Sequence, residues 1–282
     1  MRFAPRAVLP FLSCLLLASC SDATNPSTTA NNADTGATAA PVIREEAVTI
    51  TDGATTLSSF VYSDSASAGR RPAIVVVPEW WGLTDYAKMR AKELAKLGYT
   101  AVALDMYGNG KIAADPKEAM ALAGPFYGNP ALFASRINSA LSYLRTRPEV
   151  DSTRLGAMGY CFGGSAALNA ARMGAPVKGV VSFHGDFPDA AWPKGAFNGQ
   201  VLICHGAADS FVPMNKYELF RRRLDSAGVV HTDKVYPDAT HAFSNPEATA
   251  TGEKFQMPIR YNGAADTASW NDMKAFWSSV LK

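Results

Sequence analysis

A short apolar run, Leu155-Gly156-Ala157-Met158, passes through Gly159-Tyr160-Cys161-Phe162-Gly163-Gly164 into the Ala-rich helical stretch Phe162 to Met173. A chain that bends from strand to helix within so few residues needs glycine on both sides of the bend, where backbone crowds backbone. Gly159 and Gly163, two residues before and two after Cys161, meet that need. The bend lifts Cys161 clear of the strand. It also aims the first N–H groups of the helix at the sulfur, which favours a thiolate and any oxyanion beside it. Taken alone, Cys161 reads equally well as a small buried hydrophobe, so the rest of the chain has to decide.

An acid and a histidine follow. Asp209 ends Val201-Leu202-Ile203-Cys204-His205-Gly206-Ala207-Ala208-Asp209, an apolar strand and a small-residue loop. His241 lies in Pro237-Asp238-Ala239-Thr240-His241-Ala242-Phe243, directly after the strand-like run Thr232 to Tyr236. Nucleophile, acid, histidine is the chain order of the α/β-hydrolase fold. Both partners fall on loops after strands, the edge at which open α/β sheets build their sites.

The surrounding pattern agrees. From Val42 onward strands alternate with helices, which predicts an α/β fold with a mostly parallel central sheet covered on both faces. Ala47 to Ile50 and Thr56 to Tyr62, around Asp52-Gly53, read as an edge hairpin. Ala73 to Val77 reads as a strand buried on both sides, and Tyr99 to Leu104, Val177 to Phe183 and Val230 to Tyr236 as further strands. Helical spacing covers Asp85 to Leu97, Lys117 to Ala123, Ala131 to Arg145, Met214 to Ala227 and Ala268 to Leu281.

The N-terminus is different. Met1 to Ser19 carries Arg2 and Arg6, an apolar run from Val8 to Leu17 and small residues before Cys20, the pattern of a secretory signal. Leu17-Ala18-Ser19-Cys20 resembles a bacterial lipobox, which implies cleavage before Cys20 and a lipid anchor on its thiol; an ordinary cleaved signal or an uncleaved anchor is the alternative. Ser21 resembles the outer-membrane sorting pattern, so the expectation is a lipid-anchored protein of the bacterial cell envelope, on the periplasmic side of the outer membrane. Ser21 to Ala40 has no aromatic or large aliphatic residue and cannot order itself by burial. Residues 20–42 therefore read as a lipidated cysteine and tether, and residues 43–282 as one catalytic domain.

Of the four cysteines, Cys14 leaves with the signal, Cys20 takes the lipid, and Cys161 and Cys204 remain. A bridge between the last two stays open at this level, although Cys204 occupies an apolar strand position typical of inert buried thiols. The net charge of +2 is too small and too evenly spread to argue for a nucleic-acid partner. His184, His205 and Asp186 form no compact ligand set, so neither a metal nor a cofactor is expected.

Four separated stretches resemble the dienelactone hydrolase family, cysteine-dependent members of the α/β-hydrolase fold: Pro78-Glu79-Trp80-Trp81-Gly82-Leu83, Leu104-Asp105-Met106-Tyr107, Gly159-Tyr160-Cys161-Phe162-Gly163-Gly164 and Thr240-His241-Ala242-Phe243. The resemblance implies Cys161 as nucleophile, His241 as base, Asp209 as the residue orienting it, and Glu79 as a buried glutamate near the thiol. The backbone N–H groups of Trp80 and Phe162 correspond to the oxyanion-hole pair. It also implies a small ester or lactone substrate, opened through an acyl-thioester on Cys161. Trp81, Tyr107 and Phe243, with Trp80, Phe126 and Tyr127, are candidates for the pocket wall, with core packing the equal alternative for most of them. Asn245 stands where lactone-specific members place a carboxylate-binding Arg, which directs the expectation toward a neutral ester or an anion held by another basic residue. Two other readings accompany hydrolysis. A silent, envelope-anchored binding lipoprotein on a hydrolase scaffold is opposed by the presence of Cys, Asp, His and Glu together, and a thiol redox sensor by the absence of a C-x-x-C pair.

Overall fold

The computed structural model describes residues 40–282. The expected signal, Cys20 and all but the last residues of the expected tether lie outside the described residues. The edge hairpin pairs β1 (Ile43–Asp52) with β2 (Thr55–Asp64) antiparallel along their whole length, and Gly53 takes φ 58° at the turn. β3 (Arg71–Val77), β4 (Thr100–Ala103), β5 (Val150–Tyr160), β6 (Gly179–Phe183), β7 (Gln200–Gly206) and β8 (Val230–Tyr236) complete an eight-stranded sheet of order β1-β2-β4-β3-β5-β6-β7-β8. β2 runs antiparallel to β4, and every pairing from β4 to β8 is parallel.

Seven helices are described: α1 (Asp85–Lys96), α2 (Pro116–Gly128), α3 (Ala131–Arg145), α4 (Phe162–Arg172), α5 (Met214–Ala227), α6 (Ala248–Phe255) and α7 (Gly263–Val280). The central strand β3 shows how the layers are held. Ala73, Val75 and Val77 enter the core shared with α2, α3, α4 and α5, while Ile74 and Val76 enter the core shared with α1 and α7. Period-two alternation on a strand with no polar face supplies both layers at once, each buried Val or Ile contributing about 1.5–3 kcal/mol. None of the described helices is long and apolar enough to cross a membrane.

The fold class agrees with the sequence expectation, while several element boundaries differ. β5 begins at Val150 rather than Leu155: Val150 pairs with Arg71, and the polar Asp151-Ser152-Thr153-Arg154 segment falls where the register with β3 shifts, before pairing resumes at Leu155, so it carries no apolar alternation. α2 continues through Pro125 to Gly128; its start is fixed by Pro116 in the first turn and by the Asp115 side chain, which accepts from the Glu118 N–H. α7 starts five residues early, capped by Asn262. α6 was not expected at all. Its sequence, Ala-Thr-Ala-Thr-Gly-Glu-Lys-Phe, buries only Ala248 and Gly252, and with Phe255 as its one large apolar side chain it gives little sign of a helix face turned to a core.

Candidate active site

The loops leaving β3, β5, β7 and β8 all emerge at the carboxyl edge of the parallel sheet, and they bring Glu79, Cys161, Asp209 and His241 together there. The β5–α4 bend is as tight as its glycines suggest. Cys161 sits at φ 53° and ψ −116°, a region that costs a non-glycine residue about 1–3 kcal/mol. A methyl group on Gly159 would overlap the backbone of Gly163, and one on Gly163 would overlap the Val77 carbonyl oxygen. Only hydrogen at both positions lets α4 descend against β5 and β3 immediately after the cysteine.

The Asp209 carboxylate is buried and fully engaged. Oδ1 accepts the N–H groups of Phe211 and Val212, each at 2.9 Å, and Oδ2 meets His241 Nδ1 at 2.8 Å. An acceptor-only carboxylate at that distance assigns a proton to Nδ1 and leaves Nε2 for the sulfur. Burial alone would hold the His241 imidazole below its ordinary value. Charge on Cys161, with hydrogen bonds to Asp209 and Cys161, overrides burial and raises it well above 6.5. The protonated form of the His241 ring is therefore favoured.

Glu79 is 3% exposed. Burial raises its carboxyl from 4.5 to about 7, against the pull of the Asn245 hydrogen bond and the His241 charge. Asn245 Nδ2 donates to its Oε2 at 2.7 Å. The backbone N–H groups of Trp80 and Phe162 donate to no protein acceptor among the described residues.

These groups open onto a cavity of about 340 Å³ whose walls include Trp81, Met120, Tyr127, Phe211, Met257 and Ile259. Asp186 stands in the same lining, with Lys216 3.6 Å away. Among the described residues no Lys or Arg side chain lines the cavity, which leaves His241 as the one basic side chain in its lining.

The sequence model of the dienelactone hydrolase family matches residues 57–281. The chain belongs to the dienelactone hydrolase family. Among solved structures, a dienelactone hydrolase-like promiscuous phosphotriesterase from metagenomic libraries is 34% identical, with a TM-score of 0.80 over 85% of this chain and 99% of that one. Proteins carrying the name carboxymethylenebutenolidase match as well. That of Methylorubrum extorquens is 29% identical over 63% of this chain and 65% of its own length. That of Synechocystis is 25% identical over 78% of this chain and 91% of its own. The likeness supports an enzyme of the hydrolase class on the α/β-hydrolase fold.

Within that family frame, some of the sequence-derived candidates lie away from the cavity. Trp81 lines it, stacked on Phe255 at 5.7 Å between ring centroids. Tyr107 does not: its phenol donates to the Trp80 carbonyl at 2.7 Å and so braces the loop that presents the Trp80 N–H. Phe243 is fully buried between His184 and Tyr236, and Phe126 is buried among Tyr107, Phe133 and Phe162. Asn245 binds Glu79 rather than facing substrate. Met120, Phe211, Met257 and Ile259 escaped notice because an apolar side chain at a cavity wall has the same sequence signature as one in the core. Phe211 also sets its ring edge-on to His241 at 5.3 Å. Both described cysteines are free, and Cys204 belongs to the core layer on the opposite face of the sheet from the one Cys161 packs against. Burial pushes the Cys204 thiol up to about 12, which makes it a poor redox partner.

Proposed function

We propose that this family member hydrolyses small, uncharged, apolar esters or lactones through a covalent thioester on Cys161. The observation that carries the reading is the buried Asp209–His241 pair beside the part-exposed Cys161, in a cavity that no described Lys or Arg lines. The thiolate attacks the carbonyl carbon, and the resulting oxyanion is held by the N–H groups of Trp80 and Phe162, each such donor contributing about 3 kcal/mol to lowering the barrier. The imidazolium gives its proton to the departing alkoxide as the carbon–oxygen bond breaks, leaving acyl-Cys161 and neutral His241. His241 then takes a proton from water, which attacks the thioester. Collapse of the second oxyanion releases the carboxylic acid and restores the thiolate–imidazolium pair. Glu79, buried beside the nucleophile, serves as a base that accepts the thiol proton whenever sulfur is protonated as substrate arrives.

Intact mass spectrometry during turnover of p-nitrophenyl butyrate tests this. An acyl adduct on Cys161, absent from Cys161→Ala, is expected, and steady hydrolysis by Cys161→Ala would overturn it. The phosphotriesterase similarity adds a second substrate arm, because an aryl dialkyl phosphate is also neutral and apolar and fits the same charge-free wall. Phosphorylation of Cys161 by such a triester is the expected mass signature.

The N-terminus completes the reading: Leu17-Ala18-Ser19-Cys20 supports lipidation at Cys20 and anchorage in a bacterial envelope membrane. Labelled palmitate incorporated by the wild type and not by Cys20→Ser is expected; an unlabelled wild type overturns it.

A further inference from the structure

The Cys161 backbone is held by a second histidine that the hydrolytic route does not use. The Cys161 N–H points at two acceptors, the Phe183 carbonyl at 3.0 Å, which continues the β5–β6 ladder, and His184 Nδ1 at 3.1 Å. A backbone N–H can only donate, so Nδ1 is the bare nitrogen of His184 and the ring proton sits on Nε2. That nitrogen lies 2.8 Å from Ser244 Oγ, to which it donates. The Ser244 hydroxyl shares a further 2.8 Å hydrogen bond with the Tyr86 phenol. The Ser244 carbonyl accepts from Arg90, whose guanidinium is in turn paired with Asp266.

Ser244 is three residues beyond His241 on the same loop. The chain Cys161 N–H, His184, Ser244 therefore links the bend that carries the nucleophile to the loop that carries its base. His184 is completely buried at φ 40°, and Tyr160, His241 and Phe243 surround its ring at 5.2–6.0 Å between centroids. Burial, with the neighbouring His241, His205 and Arg90 charges, holds it neutral. A neutral ring of fixed tautomer can accept on one side and donate on the other; an imidazolium would have to break the Cys161 contact.

We infer that His184 is a positioning residue: it fixes the strained Cys161 backbone against the His241 loop through Ser244, and so sets the distance and aim of the thiol relative to its base. The inference rests on the proposed thiol chemistry, because it assigns His184 a task only if Cys161 reacts.

Two variants divide the link. His184→Asn keeps an acceptor near the Nδ1 position and tolerates positive φ but loses the reach to Ser244. Ser244→Ala leaves the histidine in place and cuts the far end. The readouts are the pH midpoint of Cys161 alkylation by iodoacetamide, which needs no ester turnover, and kcat and KM for p-nitrophenyl butyrate. For both variants we expect the alkylation midpoint to move upward by at least half a pH unit, as the thiolate loses its placed imidazolium. We also expect kcat to fall on the order of 10–100-fold with KM within about twofold, the scale of a small misplacement of reacting groups. A folded Ser244→Ala with the wild-type midpoint and kcat overturns the inference, whatever happens to His184→Asn. A wild type that alkylates at Cys161 with an imidazolium-assisted midpoint yet hydrolyses no ester overturns the proposed function instead, and the alkylation arm still decides the role of His184.

Discussion

Replacing Glu79 by Gln should make the protein more stable at alkaline pH and a poorer catalyst. In the folded state the carboxyl is raised from 4.5 to about 7 because burial penalises its charge. Between those values the unfolded chain releases the proton while the folded chain retains it, so stability falls as pH rises through the window and levels off above it. At about 1.4 kcal/mol for each pH unit, the window from 4.5 to about 7 amounts to about 3 kcal/mol. Glu79→Gln keeps an oxygen for Asn245 Nδ2 and removes the titration. Its advantage over wild type should therefore be small near pH 4.5 and grow to about 3 kcal/mol by pH 8, roughly 6–12 °C in Tm for a domain of this size. Urea denaturation of both proteins at half-unit steps from pH 4.5 to 8.5 gives the difference directly. Histidines such as His184, held neutral by burial, bend both curves alike and cancel in that difference. A gap that does not change with pH would refute the reasoning, because it would mean that Glu79 has the same proton affinity folded and unfolded. The stabilised variant should also acylate more slowly, the trade expected when a buried charge is kept for chemistry.

Cys161→Gly should exceed Cys161→Ala in stability by about 1–3 kcal/mol on chemical denaturation, since glycine alone adopts φ 53° with ψ −116° without strain, and both should be inactive. Asp209→Asn should lower kcat by about 10³–10⁴-fold with little change in KM in steady-state assays, because an amide next to Nδ1 no longer enforces the tautomer that presents Nε2 to sulfur. Asn245→Arg should return the Glu79 carboxyl toward its ordinary range and flatten the stability loss between pH 4.5 and 7, read by the same urea series. Asp186→Lys should raise kcat/KM for a carboxylate-bearing ester relative to its neutral homologue by about tenfold, or about 1.4 kcal/mol, an effect that added salt should erode because the position is partly exposed.

What the chain discloses on reading divides along a physical line. The Cys161 bend is local: its glycines, apolar strand and following helix are contiguous, so its geometry could be anticipated within a few residues. Asp209 and His241 were found because each follows a strand directly, and topology then obliges them to share an edge. The pairing of Asn245 with Glu79, 166 residues away, is recorded by no local pattern. Met120, Phe211, Met257 and Ile259 were missed because cavity walls and cores select the same apolar side chains, and α6 because small polar residues pack a helix without marking it. In the sequence His184 stands out only as a member of a ligand set, with His205 and Asp186, that is too dispersed for a metal. Its role depends on a hydrogen bond to the backbone of Cys161, which sequence does not encode by residue type.

The electrostatics of the cavity bear on the second half of the proposed route. The largest influence raising His241 is the charge on Cys161, ahead of the hydrogen bond to Asp209. Acylation turns the thiolate into a neutral thioester, and that influence vanishes while the burial that opposes the imidazolium remains. In the proposed route, a histidine whose protonated form is favoured beside charged sulfur thus becomes, once the sulfur is acylated, an imidazole whose neutral form is favoured, as the base that activates water must be. Among the described residues no lining Lys or Arg blurs this switch. A cationic wall for a carboxylate-bearing substrate would lower the imidazole's proton affinity in both states and weaken the resting thiolate–imidazolium pair. A cavity without one leaves the proton on His241 governed chiefly by the state of the sulfur, which is the property a two-step acyl transfer requires of its base.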